Sequence, residues 1–536
     1  MSSSATHSPS AGLSSTLSRG AACLPCRRRK TRCDGSKPVC GQCIGRNSPA
    51  DCEYTDGSHM TRSQMLEENI ALLEARIHEL EYPDETPPSV RLSNPHTTGV
   101  EVTAAPPQQR GGDTQELVDA FLRHASQVGF FLNRSRFLDL VSRTQGTRGA
   151  VLDALRSVVF TWGSALSGSD RLRGQEGTYL QDAIQRVSGS VFASNSLNFD
   201  QDVILMIQAE VLLATYFFSI GRPIEGRYHC AAAVILVTSC RLNSVGTGAH
   251  QDTSAALTVN LAEPSDTLEA GERINAFWMS YLLDKTWAVA SNFDPAIPQD
   301  DASGIPVDTP WPLTMDAYEQ GNLPTAVPGS HTIHTFLTDG VSDNTIDGAS
   351  GLALRAMAAA LYERANRLVS RLQAAAQPGD LLLSEFLALD NLISRFVPRI
   401  GHGSNSTSSP DAPRELLVTR TLACCARIEL HLQFADSTAA SRQKCIAAAA
   451  AAVAAMNGVD FEGMGYIDPI MAILWFNVSQ VMLSELRRVQ AGGQWDAIMN
   501  SLNRVLAAMS VFAPTCPLMQ SQMLQIRRPM ATVAPV

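Results

Sequence analysis

Aromatic residues make up only 6% of this 536-residue chain, and several patterns that would settle its class at once are missing. No series of alternating apolar and polar residues reads as strands, which argues against a sandwich or barrel. No uninterrupted apolar run has membrane-spanning length. The most apolar stretch, Val203 to Ile220, carries Gln208 and Glu210 and reads as a buried helix. The opening residues, MSSSATHSPSAGLSSTLSRG, are Ser-rich without an apolar core, so no secretory signal is read there. There is no G-x-S-x-G, phosphate-binding loop or H-E-x-x-H, and Gly246-Thr247-Gly248 lacks the third glycine of a dinucleotide loop. The expectation is a chain with no catalytic residues and no membrane partner.

Cysteine is abundant, but unevenly so. Six of the twelve (Cys230, Cys240, Cys424, Cys425, Cys445, Cys516) are scattered through apolar or helical stretches and read as reduced core thiols. The other six are Cys23, Cys26, Cys33, Cys40, Cys43 and Cys52, spaced C-x2-C-x6-C-x6-C-x2-C-x8-C. Between the second and third runs Arg27-Arg28-Arg29-Lys30-Thr31-Arg32. Residues 19–58 hold eight Lys/Arg and four Asp/Glu, a local balance of +4 within a chain of net charge −10. A basic island on an acidic protein implies that one small segment meets a polyanion.

Thiolate suits zinc, which takes four ligands in a tetrahedron. One four-thiolate site leaves two of the six cysteines unused, and two independent sites need eight. Six suffice for two ions if two sulfurs are each shared between them. RING and LIM arrangements want eight ligands and usually a histidine, and no histidine lies between Cys23 and Cys52. The expected cofactor is two Zn²⁺ per chain. A lysine or arginine in such a frame can donate to guanine O6 and N7. Arg27, Arg28, Arg32 and Lys37 read as phosphate clamps, which set register without reading sequence.

The run CLPCRRRKTRCDGSKPVCGQC…C resembles the binuclear zinc cluster of the fungal six-cysteine transcription factors, and Pro38 stands where that family often has a proline. The resemblance implies that Cys23 and Cys40 bridge, that Cys26 and Cys33 complete one zinc, and that Cys43 and Cys52 complete the other. It also implies that the first helix enters the DNA major groove, with Lys30, beside Arg29, reading a CGG-type triplet. The stretches 209–237, 272–298 and 307–313 resemble, more loosely, the fungal-specific transcription factor (middle homology) domain. That resemblance implies an all-helical regulatory region, often responsive to an effector.

Composition and hydrophobic period organise the rest of the chain. Residues 1–18 are polar and expected to be disordered, 19–58 form the cluster, and 83–113 are a Pro/Gly-rich linker. Within 59–82, Leu66, Ile70, Leu73, Ile77 and Leu80 repeat at 4-3-4-3, with isoleucine at a and leucine at d. That choice favours a parallel two-stranded coil, and Arg62 and Arg76 at g face Glu67 and Glu81 at e. A short amphipathic helix packed on the large domain is the alternative. Residues 114–525 read as helical almost throughout, interrupted by polar breaks at roughly 323–350, which contains Phe336, and 399–413, both expected to be surface loops; residues 526–536 read as a tail.

The expected fold is mainly α: a small binuclear zinc-cluster module, a short coiled-coil helix and a large all-α regulatory domain. The expected function is sequence-specific regulation of transcription from the nucleus. Expected partners are double-stranded DNA, a second copy of the chain through the coil, and transcription machinery or co-regulators. A ligand-sensing or enzyme-like role for the helical domain is the alternative. Asp284-Lys285 reads as a surface or half-buried pair, Trp278 and Trp287 as core, and Asp468-Pro469 as the N-cap and first residue of a buried helix.

Overall fold

The computed structural model describes residues 22–54, apart from 53, and 111–531. Within the latter, 143–148, 191–198, 247–258, 260, 298–305, 339–345, 376–378, 402–411, 490 and 491 are not described. The chain divides into two compact units, 1–106 and 107–536. The expected coil (Leu66, Ile70, Leu73, Ile77, Leu80) lies outside the described residues, as do the expected disordered start and nearly all of the linker.

The second unit is built from helices, and no strand occurs among the described residues. Its principal helices are α3 (Ala150–Ala165), α4 (Phe199–Ser219), α5 (Pro223–Ser239), α6 (Thr267–Ser291), α7 (Gly351–Ala374), α8 (Asp380–Arg399), α9 (Ala412–Leu432), α10 (Ala439–Ala454) and α11 (Met471–Leu486). Helix α4 explains the apolar run noted above. Every residue from Val203 to Ser219 is buried, because α3, α5, α6 and the final helix Pro517–Met530 all pack on it. It is the one described helix long and apolar enough to cross a membrane, and 94% of its apolar window is buried in protein instead. Its polar residues are answered: Gln208 accepts from Phe131 N–H at 2.7 Å and donates to Gly129 O at 3.1 Å. Glu210 pairs with His229 Nδ1 at 2.6 Å. At the α4–α5 crossing Gly226 lies against the Phe218 ring, which stacks on Trp287 at 4.0 Å; a Cβ on Gly226 would come within 2.6 Å of that ring.

Asp284 and Lys285 are not a surface pair. Both are 0% exposed. Asp284 accepts from Arg227 at 2.8 Å and from the backbone N–H groups of Ala296 and Ile297 at 2.8 and 3.0 Å. The Lys285 ammonium donates to Ile297 O. The pair therefore ties the segment after α6 back onto the helix, satisfying buried backbone groups that an apolar core could not. Burial holds the Lys285 pKa below its ordinary value, although Glu363 and Asp284 oppose that shift. Trp278 and Trp287 are buried, as expected. Asp468 stands three residues before α11 rather than at its N-cap, and its carboxylate accepts from Ile470 N–H at 2.9 Å. Phe336, expected in a surface loop, is fully buried against Trp311 and Phe396.

A second buried polar knot joins α8, α9 and α10. His431 Nε2 donates to Asp390 Oδ1 at 3.0 Å, Lys444 Nζ donates to Asp390 Oδ2 at 2.5 Å, and Ser441 Oγ faces His431 Nδ1 at 3.2 Å. Burial disfavours the Asp390 carboxylate, but the His431 and Lys444 hydrogen bonds outweigh it and bring its pKa to about 2 from the ordinary 3.8. A depressed carboxylate stabilises the fold above its unfolded pKa and loses that contribution as pH falls through the folded one. Asp390→Asn is therefore expected to cost about 2 kcal/mol at neutral pH. In urea titrations the gap between wild type and variant should hold from pH 7 to 5 and narrow below pH 4. A gap that is unchanged on acidification contradicts the assignment.

Candidate metal centre and nucleic-acid interface

The described residues of the first unit have little apolar material to fold around: five buried cysteines, with Ala22, Val39, Cys52 and Tyr54 partly buried against them. Two short helices, α1 (Leu24–Arg28) and α2 (Gly41–Gly45), position four of the thiols, while Cys33 and Cys52 lie outside them. Each begins just after a cysteine in extended conformation: Cys23 has φ −61° and ψ 153°, Cys40 has φ −74° and ψ 151°. Each carries the second cysteine of its C-x2-C pair on its first turn, so the two halves repeat one local design.

All six sulfurs come together. Cys23, Cys26, Cys33 and Cys40 form one group with mutual ligand-atom distances within 4.8 Å, and Cys23, Cys40, Cys43 and Cys52 form another. Cys23 and Cys40 belong to both. The closest separations are 3.6 Å for Cys23–Cys40, 3.7 Å for Cys26–Cys40, and 3.9 Å for Cys23–Cys43 and Cys23–Cys33. A zinc–sulfur bond of about 2.3 Å gives a tetrahedron with sulfur–sulfur edges of about 3.8 Å. The donor set therefore fits two zinc ions in both chemistry and spacing.

Without cations among them, six thiolates this close cannot all ionise. Burial pushes the Cys43 thiol up to about 12 and raises Cys23 as well. Burial acts in the same sense at Cys40, but hydrogen bonds from the Cys43 N–H and from the Cys43, Cys23 and Cys26 thiols outweigh it and draw that thiol down to about 6. Backbone donors reinforce the sulfurs: Cys43 N–H points to Cys40 Sγ at 3.4 Å and Cys40 N–H to Cys52 Sγ at 3.2 Å.

Two residues missed in the sequence reading hold the loop between the halves. Asp34 accepts from Gly41 N–H at 2.9 Å, and that contact keeps its pKa below the ordinary value. Gly41 leaves the space for it, since a Cβ there would lie 2.7 Å from Asp34 Oδ2. Tyr54 donates to Ser36 O at 2.9 Å, lies 3.9 Å from Cys33 Sγ, and carries the Lys37 ammonium 5.5 Å from its ring centre. A tyrosine two residues past the last cysteine was the available signal for the second of these.

The six basic residues singled out from the sequence are all exposed: Arg27, Arg28, Arg29, Lys30, Arg32 and Lys37. Helix α1 ends at Arg28, with Arg29 at its C-cap, and Lys30 adopts φ 53°, so the chain turns sharply there. Thr31 N–H returns to Cys26 O at 3.0 Å, fixing the cationic turn to a thiol-bearing helix.

Comparison with known proteins places these features. Residues 21–60 match the fungal Zn(2)-Cys(6) binuclear cluster domain, and residues 118–307 match the fungal specific transcription factor domain. A notoamide biosynthesis cluster transcriptional coactivator of Aspergillus versicolor is 24% identical over 322 residues, covering 55% of this chain and 58% of that protein. A citrinin biosynthesis transcriptional activator of Monascus purpureus is 24% identical over 352 residues, covering 56% and 54% respectively. The chain thus spans little more than half the length of these relatives. Over a short stretch, 36 residues are 56% identical to part of a chromatin structure-remodeling complex protein of Saccharomyces cerevisiae, 7% of this chain and 4% of that one. Cysteine frame, interposed charge and helical partner unit agree with these matches: the chain carries a fungal Zn(2)-Cys(6) binuclear cluster domain followed by a fungal specific transcription factor domain.

Proposed function

We propose that the protein is a sequence-specific DNA-binding regulator of transcription that works in the nucleus, reading CGG-like half-sites as a dimer. The observation that carries this reading is the pair of thiol groups sharing Cys23 and Cys40, with an exposed cationic turn fixed to one of them. In this reading Cys26 and Cys33 complete one zinc site, and Cys43 and Cys52 the other. Bound zinc supplies the cross-links that a module with so small an apolar core cannot provide. The chain's own residues do the recognition. Lys30 and Arg29 donate to base edges, whereas Arg27, Arg28, Arg32 and Lys37 neutralise phosphates. Asp34 and Tyr54 keep the inter-helix loop in place.

The remaining partners follow from the same reading. The heptads at Leu66, Ile70, Leu73, Ile77 and Leu80 pair two copies, so that two clusters meet two half-sites. The helical domain meets transcription machinery or co-regulators. The rest of the chain carries net −14 outside residues 19–58 and repels phosphate, which confines DNA contact to the cluster. The names of the relatives support a regulatory role of this kind, and nothing in the sequence assigns a reaction.

Three experiments test the reading. Native mass spectrometry should count two zincs per chain. Cys40→Ser should lose both, whereas Cys52→Ser should keep one; equal losses remove the sharing of Cys40. Selection of random duplexes by the full chain should return CGG-type triplets. Lys30→Ala should then lose about 1–3 kcal/mol of discrimination at the triplet, while Arg28→Ala weakens all sequences alike and lowers the salt slope by about one. Equal, sequence-independent losses would set aside direct reading by Lys30. The double change Ile70→Asp with Ile77→Asp should abolish cooperative binding to paired half-sites, and undiminished cooperativity would take the coil out of the account.

A further inference from the structure

The described residues of the cluster unit include three serines and threonines, Thr31, Ser36 and Ser48. Thr31 alone follows a pair of arginines. Arg28 and Arg29 stand three and two residues before it, whereas Cys33 and Gly45 stand three residues before Ser36 and Ser48. The pattern Arg-Arg-x-Ser/Thr occurs nowhere else in the 536 residues. Carboxylates hold guanidinium groups in paired, planar hydrogen bonds. Basophilic protein kinases use such carboxylates to seat arginines at these two places before the acceptor hydroxyl.

The local structure leaves the pattern within reach. Arg28 and Arg29 are exposed and Thr31 is partly exposed. Helix α1 ends at Arg28, and the chain from Thr31 to Ser36 is neither helix nor strand. A kinase groove takes its substrate extended, so the turn before Thr31 must open. Two backbone bonds hold it, Lys30 N–H to Arg27 O at 3.2 Å and Thr31 N–H to Cys26 O at 3.0 Å. Lys30 sits at φ 53°, a left-handed conformation that is unfavourable for any residue with a Cβ. Opening the turn therefore breaks few bonds and relieves that conformation.

A phosphate on Thr31 would act on the surface that meets DNA in the reading above. It carries a charge of about −1.5 to −2 at neutral pH, against +4 for residues 19–58. Consecutive Cα atoms lie about 3.8 Å apart, and physiological salt screens charges beyond about 8 Å. Arg29, Lys30 and Arg32, all within two residues of Thr31, are inside that range. The phosphate occupies these cations and repels the DNA backbone.

We propose that Thr31 is the phosphorylation site of an arginine-directed protein kinase, and that its phosphate releases the cluster from DNA. The proposal rests on the reading of the cluster as the DNA-binding module. In the transfer the Thr31 hydroxyl oxygen bonds to the γ-phosphorus of ATP, and the bond from that phosphorus to the β,γ-bridging oxygen breaks. ADP leaves, and the hydroxyl proton passes to a carboxylate base of the kinase and on to solvent.

The test uses the zinc-loaded full chain, Mg-ATP and the catalytic subunit of cAMP-dependent protein kinase. Peptide mass spectrometry should find phosphate on Thr31, and a duplex with CGG-type triplets should slow its addition at least tenfold. Native mass spectrometry should still count two zincs. The phosphorylated chain should bind that duplex at least a hundredfold less tightly, with a salt slope smaller in magnitude by about two. Thr31→Val keeps the backbone N–H and removes the hydroxyl, so its affinity should be the same before and after kinase treatment. Thr31→Ser should regain both the phosphate and the response. No phosphate on Thr31, undiminished binding by the phosphorylated chain, loss of zinc on phosphorylation, or an equal loss of binding by kinase-treated Thr31→Val would each overturn the proposal. An unmodified chain that prefers no duplex sequence would instead overturn the reading of the cluster, and this proposal with it.

Discussion

The amino-terminal module depends on sulfur that has nowhere else to go. Among its described residues, five buried cysteines and four partly buried neighbours make up the core. So small a set of apolar side chains cannot offset the entropy of ordering the chain around it, and folds of this size need staples. The spacing of the six thiols, 3.6–3.9 Å at the closest pairs, is that of a metal-held knot rather than of disulfides. The cationic turn from Arg27 to Arg32 inherits its rigidity from that knot through the Thr31 N–H to Cys26 O bond. Recognition and folding therefore draw on the same bonds.

The helical unit meets its own constraint by other means. Its central helix α4 is enclosed on all sides, and its neighbours carry buried charge that is paired in defined geometry. Asp284 and Lys285 close a loop onto α6, and Asp390, His431 and Lys444 lock three helices together. Buried pairs of this sort add little net stability over apolar packing, but losing one partner is severe because it strands the other. Their effect is to fix which segments meet.

Much of this was legible beforehand, for reasons that differ by element. The cysteine frame was readable because ligand count and spacing are dictated by the metal, not by context. The buried character of α4 and α11 followed from helices apolar nearly all round. The depth of Asp284-Lys285 was not readable, because a charged pair on an amphipathic helix looks the same whether its partners are water or the backbone of Ala296 and Ile297, twelve residues on. Phe336 was misplaced for a related reason: polar neighbours gave its segment the composition of a loop, while tertiary packing against Trp311 and Phe396 decided its position. Asp34 offered no signal in the sequence, and Tyr54 only its nearness to the last cysteine. Their roles arise only when the two halves of the cluster face each other.

The enclosure of α4 bears on how the protein is made. The thiol of Cys516 donates to Ser219 O across 297 residues, and the helix that follows Cys516 supplies one wall around α4. On the ribosome, α4 therefore emerges long before its last wall is translated, and it waits as a span-like apolar rod. A message cut short near its end would release a polypeptide whose most greasy segment stays uncovered, a substrate for chaperones and proteases even with the cysteine module intact.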